Sequence, residues 1–135
     1  MRSIKPFPAL LLLYAAASLL HFIHNAEYLA AYPGLPVSWS RFGVYGAWIA
    51  MSSVGVIGWV LLRREYEWLG LLLLAGYAAL GMDSLGHYVL ASFSQHTLMM
   101  NATILLEVTA ATLVMIEVVR RMMRKAFTPL GSRTS

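Results

Sequence analysis

The stretch PALLLLYAAASLLHFIHNAEY, residues 8–28, decides the fold. It is long and apolar enough for an α-helix to cross a hydrocarbon layer of about 30 Å. Yet its second half carries His21, His24, Asn25 and Glu27. Three further runs have the same length and character, at residues 42–62, 66–90 and 97–119. Strands do not fit, because the runs are too long and a four-stranded sheet leaves open edges in lipid. The expected architecture is all-α: an integral membrane four-helix bundle over residues 1–119, followed by a basic tail at 120–135.

Composition agrees. Hydrophobic residues make up 59% of the chain and charged residues 12%, against about 25% charged in soluble domains. Mean hydropathy is +0.67. A chain of 135 residues suits one domain. There is no cysteine, which excludes disulfides and thiolate chemistry.

The basic residues set the expected orientation. Arg2 and Lys5 precede the first run, Arg63 and Arg64 fill the second turn, and Arg120, Arg121, Arg124, Lys125 and Arg133 follow the fourth. Only Arg41 lies at the opposite end. This positive-inside pattern predicts N-in/C-in topology with both termini cytoplasmic, in a bacterial inner membrane. It also accounts for the net charge of +4 without a nucleic-acid partner. The loops at 29–41 and 91–96 then face outward. Pro33-Gly34 and Pro36 break helix, and Ser38 or Ser40 is placed to cap the second helix. Tyr32 and Trp39 fit an outer aromatic belt, Trp59 and Trp68 an inner one. Gly43, Gly46, Gly55 and Gly58 read as close-packing positions that leave the second helix a plain wall. The start MRSIKPFPALLLLYAAAS has the layout of a signal peptide. We expect it to be retained, since a polar stripe runs across its cleavage-like Ala15-Ala16-Ala17.

That stripe is the informative feature. Tyr14, Ser18, His21, Asn25 and Tyr28 are spaced 4, 3, 4, 3, which keeps them on one helix face. His24 flanks it and Glu27 lies further round. On the third helix Asp83 and His87 stand at i and i+4, where side chains meet. On the fourth, His96, Met100, Thr103 and Glu107 share a face, with Asn101 more than a quarter-turn away. At roughly 1.5 Å per residue, Glu107 lies about 16 Å below His96, near the midplane. All four histidines thus fall in the outer half. The inner acids Glu65, Glu67 and Glu117 each stand beside arginine, as ordinary ion pairs. An ionisable group near a bilayer centre costs at least roughly 2.5–3.5 kcal/mol unless neutral, paired or metal-bound. Glu107 and Asp83 therefore call for a function.

Imidazole and carboxylate together suit Zn, Fe or Cu, and facing helices of a bundle commonly supply such sites. The expected ligands of a divalent transition metal are His21, His24, His87, Asp83 and Glu107. Glu107 and Asp83 are the expected catalytic carboxylates, and Asn25, Glu27, Tyr28, His96, Asn101 and Thr103 would support them. The bland readings are a snorkelling His24, a self-satisfied Asp83/His87 pair, and Asn25 and Asn101 as interhelical glue.

The segment HNAEYL resembles the His-x-x-Glu-Glu motif of a family of small bacterial membrane proteins. His24 and Glu27 match, and Tyr28 stands in place of the second glutamate; the later GHY region extends the likeness. The resemblance implies a metal or acid–base site. The His/Glu/Asn set is also similar in kind to emopamil-binding-type sterol isomerases. Asp83-x-x-x-His87 followed by His96 looks like the copper set of membrane methane monooxygenases, with a different second gap.

The expected function is a metal-dependent membrane enzyme acting on a lipophilic or outer-face small molecule. One alternative is a metal-free acid–base isomerase, cyclase or hydrolase, with a carboxyl held protonated by burial. Another is a non-enzymatic metal- or haem-binding subunit, haem b requiring His21 with His87 or His96. A proton path is a further option, but one that stops near Glu107. The partners expected are the lipid bilayer and, because four short helices enclose little space, a second copy of the chain.

Overall fold

The computed structural model describes residues 6–127. Arg2, Lys5 and Arg133, the start of the signal-like segment and the end of the basic tail lie outside them. Four helical segments are long and apolar enough to cross a membrane. Helix α1 spans Pro6–Glu27, α2 Arg41–Arg63 and α3 Glu67–Met82; a 3₁₀ turn at Asp83–Gly86 leads into the single turn α4, His87–Leu90. Helix α5 spans Leu98–Phe127. Helix α1 packs against α2 and α5, and α3 against the same two, so α1 and α3 face each other diagonally.

Local chemistry sets the ends. Ser40 Oγ accepts the Gly43 N–H at 3.0 Å and caps α2. Thr97 Oγ1 does the same for the Met100 N–H at 3.2 Å and starts α5. Helix α2 closes with Glu65 in the left-handed region (φ 69°). The Tyr66 N–H then reaches back to the Leu61 carbonyl at 3.0 Å, a Schellman-type stop. Just beyond, Gly70 lies against the α2 backbone, where a Cβ would stand 2.6 Å from Leu62 N. A larger residue there would force the two helices apart.

The third segment departs from the continuous helix expected over 66–90. Gly81, Asp83, Ser84 and Gly86 crowd its last turns, and these residue types favour the helix interior least. The backbone tightens to 3₁₀ winding, which has three residues per turn. Gly55 and Gly58 are buried against Tyr77 and Leu74 as expected of packing glycines, whereas Gly46 has nothing near it.

The core divides along the bundle. Towards the Arg63/Arg120 end it is apolar: Phe7, Tyr14, Met51, Leu71, Leu74, Ala111, Val114 and Val118 are buried together. Towards the other end it holds Ser18, His21, Asn25, His87, His96, Asn101, Thr103 and Glu107. Between the two, the Tyr14 hydroxyl donates to the Tyr77 carbonyl at 2.8 Å. At the basic end Glu117 pairs with Arg121 at 2.8 Å and with Arg120 at 3.5 Å, as read from the sequence. Glu67, in contrast, pairs with Lys125 of α5 rather than with a neighbouring arginine.

Candidate functional site

The polar faces of α1 and α5 meet as their spacing requires. Ser18, His21 and Asn25 are buried on α1, and Met100, Thr103 and Glu107 on α5. Glu107 and Ser18 are fully buried, at 0% exposure. Glu107 Oε2 accepts the Ser84 hydroxyl at 2.6 Å and lies 3.8 Å from His21 Nε2. Its Oε1 is buried without a partner. His21 Nδ1 is 3.4 Å from Thr103 Oγ1, whose own proton goes to the Met100 carbonyl at 3.1 Å. His21 therefore donates from Nδ1 and turns the lone pair of Nε2 towards Glu107.

His87 lies edge-to-face with His21, ring centroids 5.3 Å apart. Its Nε2 accepts from Asn25 Nδ2 at 3.2 Å, so the proton sits on Nδ1, which is buried and unpartnered. His96, expected at the surface, is instead buried. The 3₁₀ turn at Phe93–Gln95 folds it inward, and its Nδ1 donates to the Ser92 carbonyl at 2.9 Å. Its Nε2 has no partner. Asn101 secures this loop: it donates to the Phe93 and His96 carbonyls at 3.2 and 3.4 Å and accepts from Tyr88 at 2.9 Å.

The residue the sequence reading misplaced is Tyr32. It is not in an exposed aromatic belt but 4% exposed, at the centre of the histidine group. Its ring lies 5.1 Å from His87, 5.8 Å from His24, 6.4 Å from His21 and 6.5 Å from His96. Its hydroxyl is 2.9 Å from His24 Nδ1 and lies beside Thr103. Burial pushes its phenol up to about 12, so it stays protonated at any physiological pH. Nothing in the periodicity marks a loop residue for this place. Gly34 at φ 77° turns the loop over Leu90, where a Cβ would meet the carbonyl at 2.7 Å.

Other expected site residues stand elsewhere. Glu27, further round the helix as its spacing requires, pairs with Arg41 at 2.8 Å and accepts from Tyr45 at 2.7 Å. Tyr28 is exposed, because α1 ends at Glu27, and stacks on His24 at 4.7 Å. Asp83 is exposed and makes no hydrogen bond or ion pair with His87. In 3₁₀ winding the i+4 residue is a third of a turn off the face. Ser84 takes the inward place instead, and its signal was present: Leu74, Tyr77, Gly81 and Ser84 are spaced 3, 4, 3.

These groups border a cleft of about 520 Å³ between α1, α2 and the third segment. Phe22, Val44, Met51, Leu80 and Leu90 wall it, and His21, Asn25, Asp83, Ser84 and His87 supply its polar edge. That volume is in the range of small-molecule sites. Among the described residues no three His, Asp or Glu side chains converge as metal ligands. As folded, the ring nitrogens of His21 and His24 are turned to hydroxyls and a carboxylate, and Asp83 is exposed at the cleft edge without a bond to His87.

Fold and site together define a polar-cored four-helix protein with helices able to span a membrane. The chain matches no protein-family model, no curated protein and no solved structure.

Proposed function

We propose that this protein is a membrane enzyme that moves a proton on a lipophilic molecule held in the cleft, without a metal. The observation that carries this reading is the His21–Glu107 pair. It is fully buried, 3.8 Å apart, and His21 opens onto the largely apolar cleft. An imidazole lone pair facing a carboxyl group is the equipment of general acid–base catalysis. Ser84 holds the carboxyl, Thr103 holds the imidazole, and the Asn25–His87 pair offers an amide and a neutral ring to a polar substituent. An isomerisation needs only these groups, since the proton removed at one carbon returns at another. The setting we propose is a bacterial inner membrane, with the histidine end outward and both termini cytoplasmic.

The test uses protein in lipid. Apolar molecules recovered with the wild type are compared with those recovered with Ala47→Trp, which fills the cleft from an exposed α2 position. A compound specific to the wild type should acquire deuterium in D2O. His21→Ala and Glu107→Gln should slow that at least about 100-fold, the usual worth of a positioned acid or base. A chelator should leave the rate unchanged. No such compound, or equal incorporation in both variants, rules the reading out. A second reading, a divalent transition metal (Zn, Fe or Cu) at this end, is favoured by the unpartnered buried lone pair of His96 Nε2, with the His87 ring 6.2 Å away and able to join it if its proton moves to Nε2. Chelator-sensitive incorporation would select it.

A further inference from the structure

Four side chains join the buried Glu107 to the histidine end of the bundle, and most of them are not needed to hold a substrate. The geometry points to a proton line running from Glu107 through His21, Thr103 and Tyr32 to His24. It rests on the acid–base reading of the same pair and adds how that pair exchanges protons with outer water. The steps are Glu107 Oε2 to His21 Nε2 at 3.8 Å, His21 Nδ1 to Thr103 Oγ1 at 3.4 Å, and Tyr32 hydroxyl to His24 Nδ1 at 2.9 Å. Between them Thr103 and Tyr32 stand hydroxyl beside hydroxyl. His24 ends the line, half-buried one turn from the end of α1.

Two of the four steps, His21 to Thr103 and Tyr32 to His24, are hydrogen bonds as the protein stands, and the other two close by small side-chain movements. A proton passing from Glu107 to His21 Nε2 frees the Nδ1 proton to Thr103. The Thr103 hydroxyl turns from the Met100 carbonyl and passes its own proton to Tyr32. Tyr32 passes its proton to His24 Nδ1, and His24 releases one from Nε2 to water. Every intermediate group gains one proton and loses one, and the line is reset when the two hydroxyls rotate and the His21 and His24 rings flip to restore their starting tautomers. Tyr32 suits the middle position because a phenol that stays neutral both accepts and donates. The other rings facing it, His87 and His96, each hold a partner through one nitrogen, Asn25 and the Ser92 carbonyl, and neither makes a hydrogen bond to the Tyr32 hydroxyl. Among the described residues Glu107 is also faced by the hydroxyls of Ser84 and Ser18, and the phenols of Tyr14, Tyr32 and Tyr77 lie within electrostatic reach of it. Towards the basic end, the core beyond Glu107 is apolar, so the line opens to one side.

The experiment needs no substrate. Protein with ¹⁵N-labelled histidine, in bilayers, is moved into D2O, and exchange of the His21 ring N–H is followed by NMR, with the four rings assigned from single variants. Tyr32→Phe and Thr103→Val each remove one hydroxyl and keep the packing. Each should slow His21 exchange about tenfold or more, the effect of taking one hydrogen-bonded carrier from the path. Tyr28→Phe, beside His24 but off the line, should leave the rate unchanged. Wild-type exchange in either line variant would mean that protons reach His21 through the cleft, and would overturn the proposal. Slowing by Tyr28→Phe would overturn it as well. If Tyr32→Phe does not fold, Thr103→Val decides alone. An empty cleft would defeat the enzymatic reading and leave these exchange rates as predicted.

Discussion

Replacing Glu107 by leucine separates a working carboxyl from a structural one. The side chain is wholly buried, and only one of its oxygens has a hydrogen-bond partner, Ser84 at 2.6 Å. The orphaned Oε1 costs about 1–3 kcal/mol, the usual penalty for a buried unsatisfied polar atom. The Ser84 bond returns about 1 kcal/mol. Ser84 is only half-buried, so its hydroxyl finds water or backbone once released. Leucine has a similar volume and no polar atom. The balance predicts that Glu107→Leu stabilises the protein by about 1 kcal/mol while abolishing activity, the trade expected of a residue kept for chemistry. Glu107→Gln, which retains an acceptor for Ser84, should lie within about 0.5 kcal/mol of the wild type. Equilibrium unfolding in mixed micelles measures both. A loss above about 2 kcal/mol in the leucine variant would show that Glu107 holds the bundle together, and the reasoning would fail.

Other predictions follow from the same geometry. Because burial raises the Tyr32 phenol from about 10 to about 12, the unfolded chain releases this proton first. Stability should therefore fall as pH rises from about 10 to about 12, by up to about 2–3 kcal/mol for the single group. Melting curves at pH 9 and pH 11 should show the difference shrink in Tyr32→Phe. Glu27→Gln should change stability by less than about 1 kcal/mol and leave activity intact, since Glu27 pairs with Arg41 away from the cleft. A large loss of deuterium incorporation in that variant would return Glu27 to the site. Gly34→Ala should cost about 1–2 kcal/mol for a left-handed residue, and more if Leu90 cannot yield. A calorimetric scan that finds it neutral would mean the loop does not rest on Leu90.

Much of the site was legible because helix periodicity is a local property. The alternating 3 and 4 spacing of Ser18, His21 and Asn25 and of Met100, Thr103 and Glu107 put each set on one face, and those faces are buried, whereas His96 lies before α5 and is brought in by its turn. The third segment was misread at one point for a physical reason. Asp83 and His87 looked like an i, i+4 pair, but the Gly/Asp/Ser/Gly sequence winds as 3₁₀ and turns Ser84 inward. The heptad from Leu74 through Tyr77 and Gly81 already led to Ser84. Chemical expectation drew attention to the charged neighbour.

Helix number, length and spacing follow from hydrophobic runs and their breaks, because each helix satisfies its own backbone and needs no distant partner to exist. Which side chains touch depends on how four helices and two loops pack, and no spacing along the chain contains that. Tyr32 shows it most clearly. In the sequence it is an aromatic residue before a Pro-Gly turn. In the folded protein it stands among four histidines drawn from three separate stretches, because the turn at Gly34 lays the loop across the end of the bundle. The carboxyl of Glu107 was visible from its unlikely place in an apolar run, and its partners became visible only when the helices were brought together.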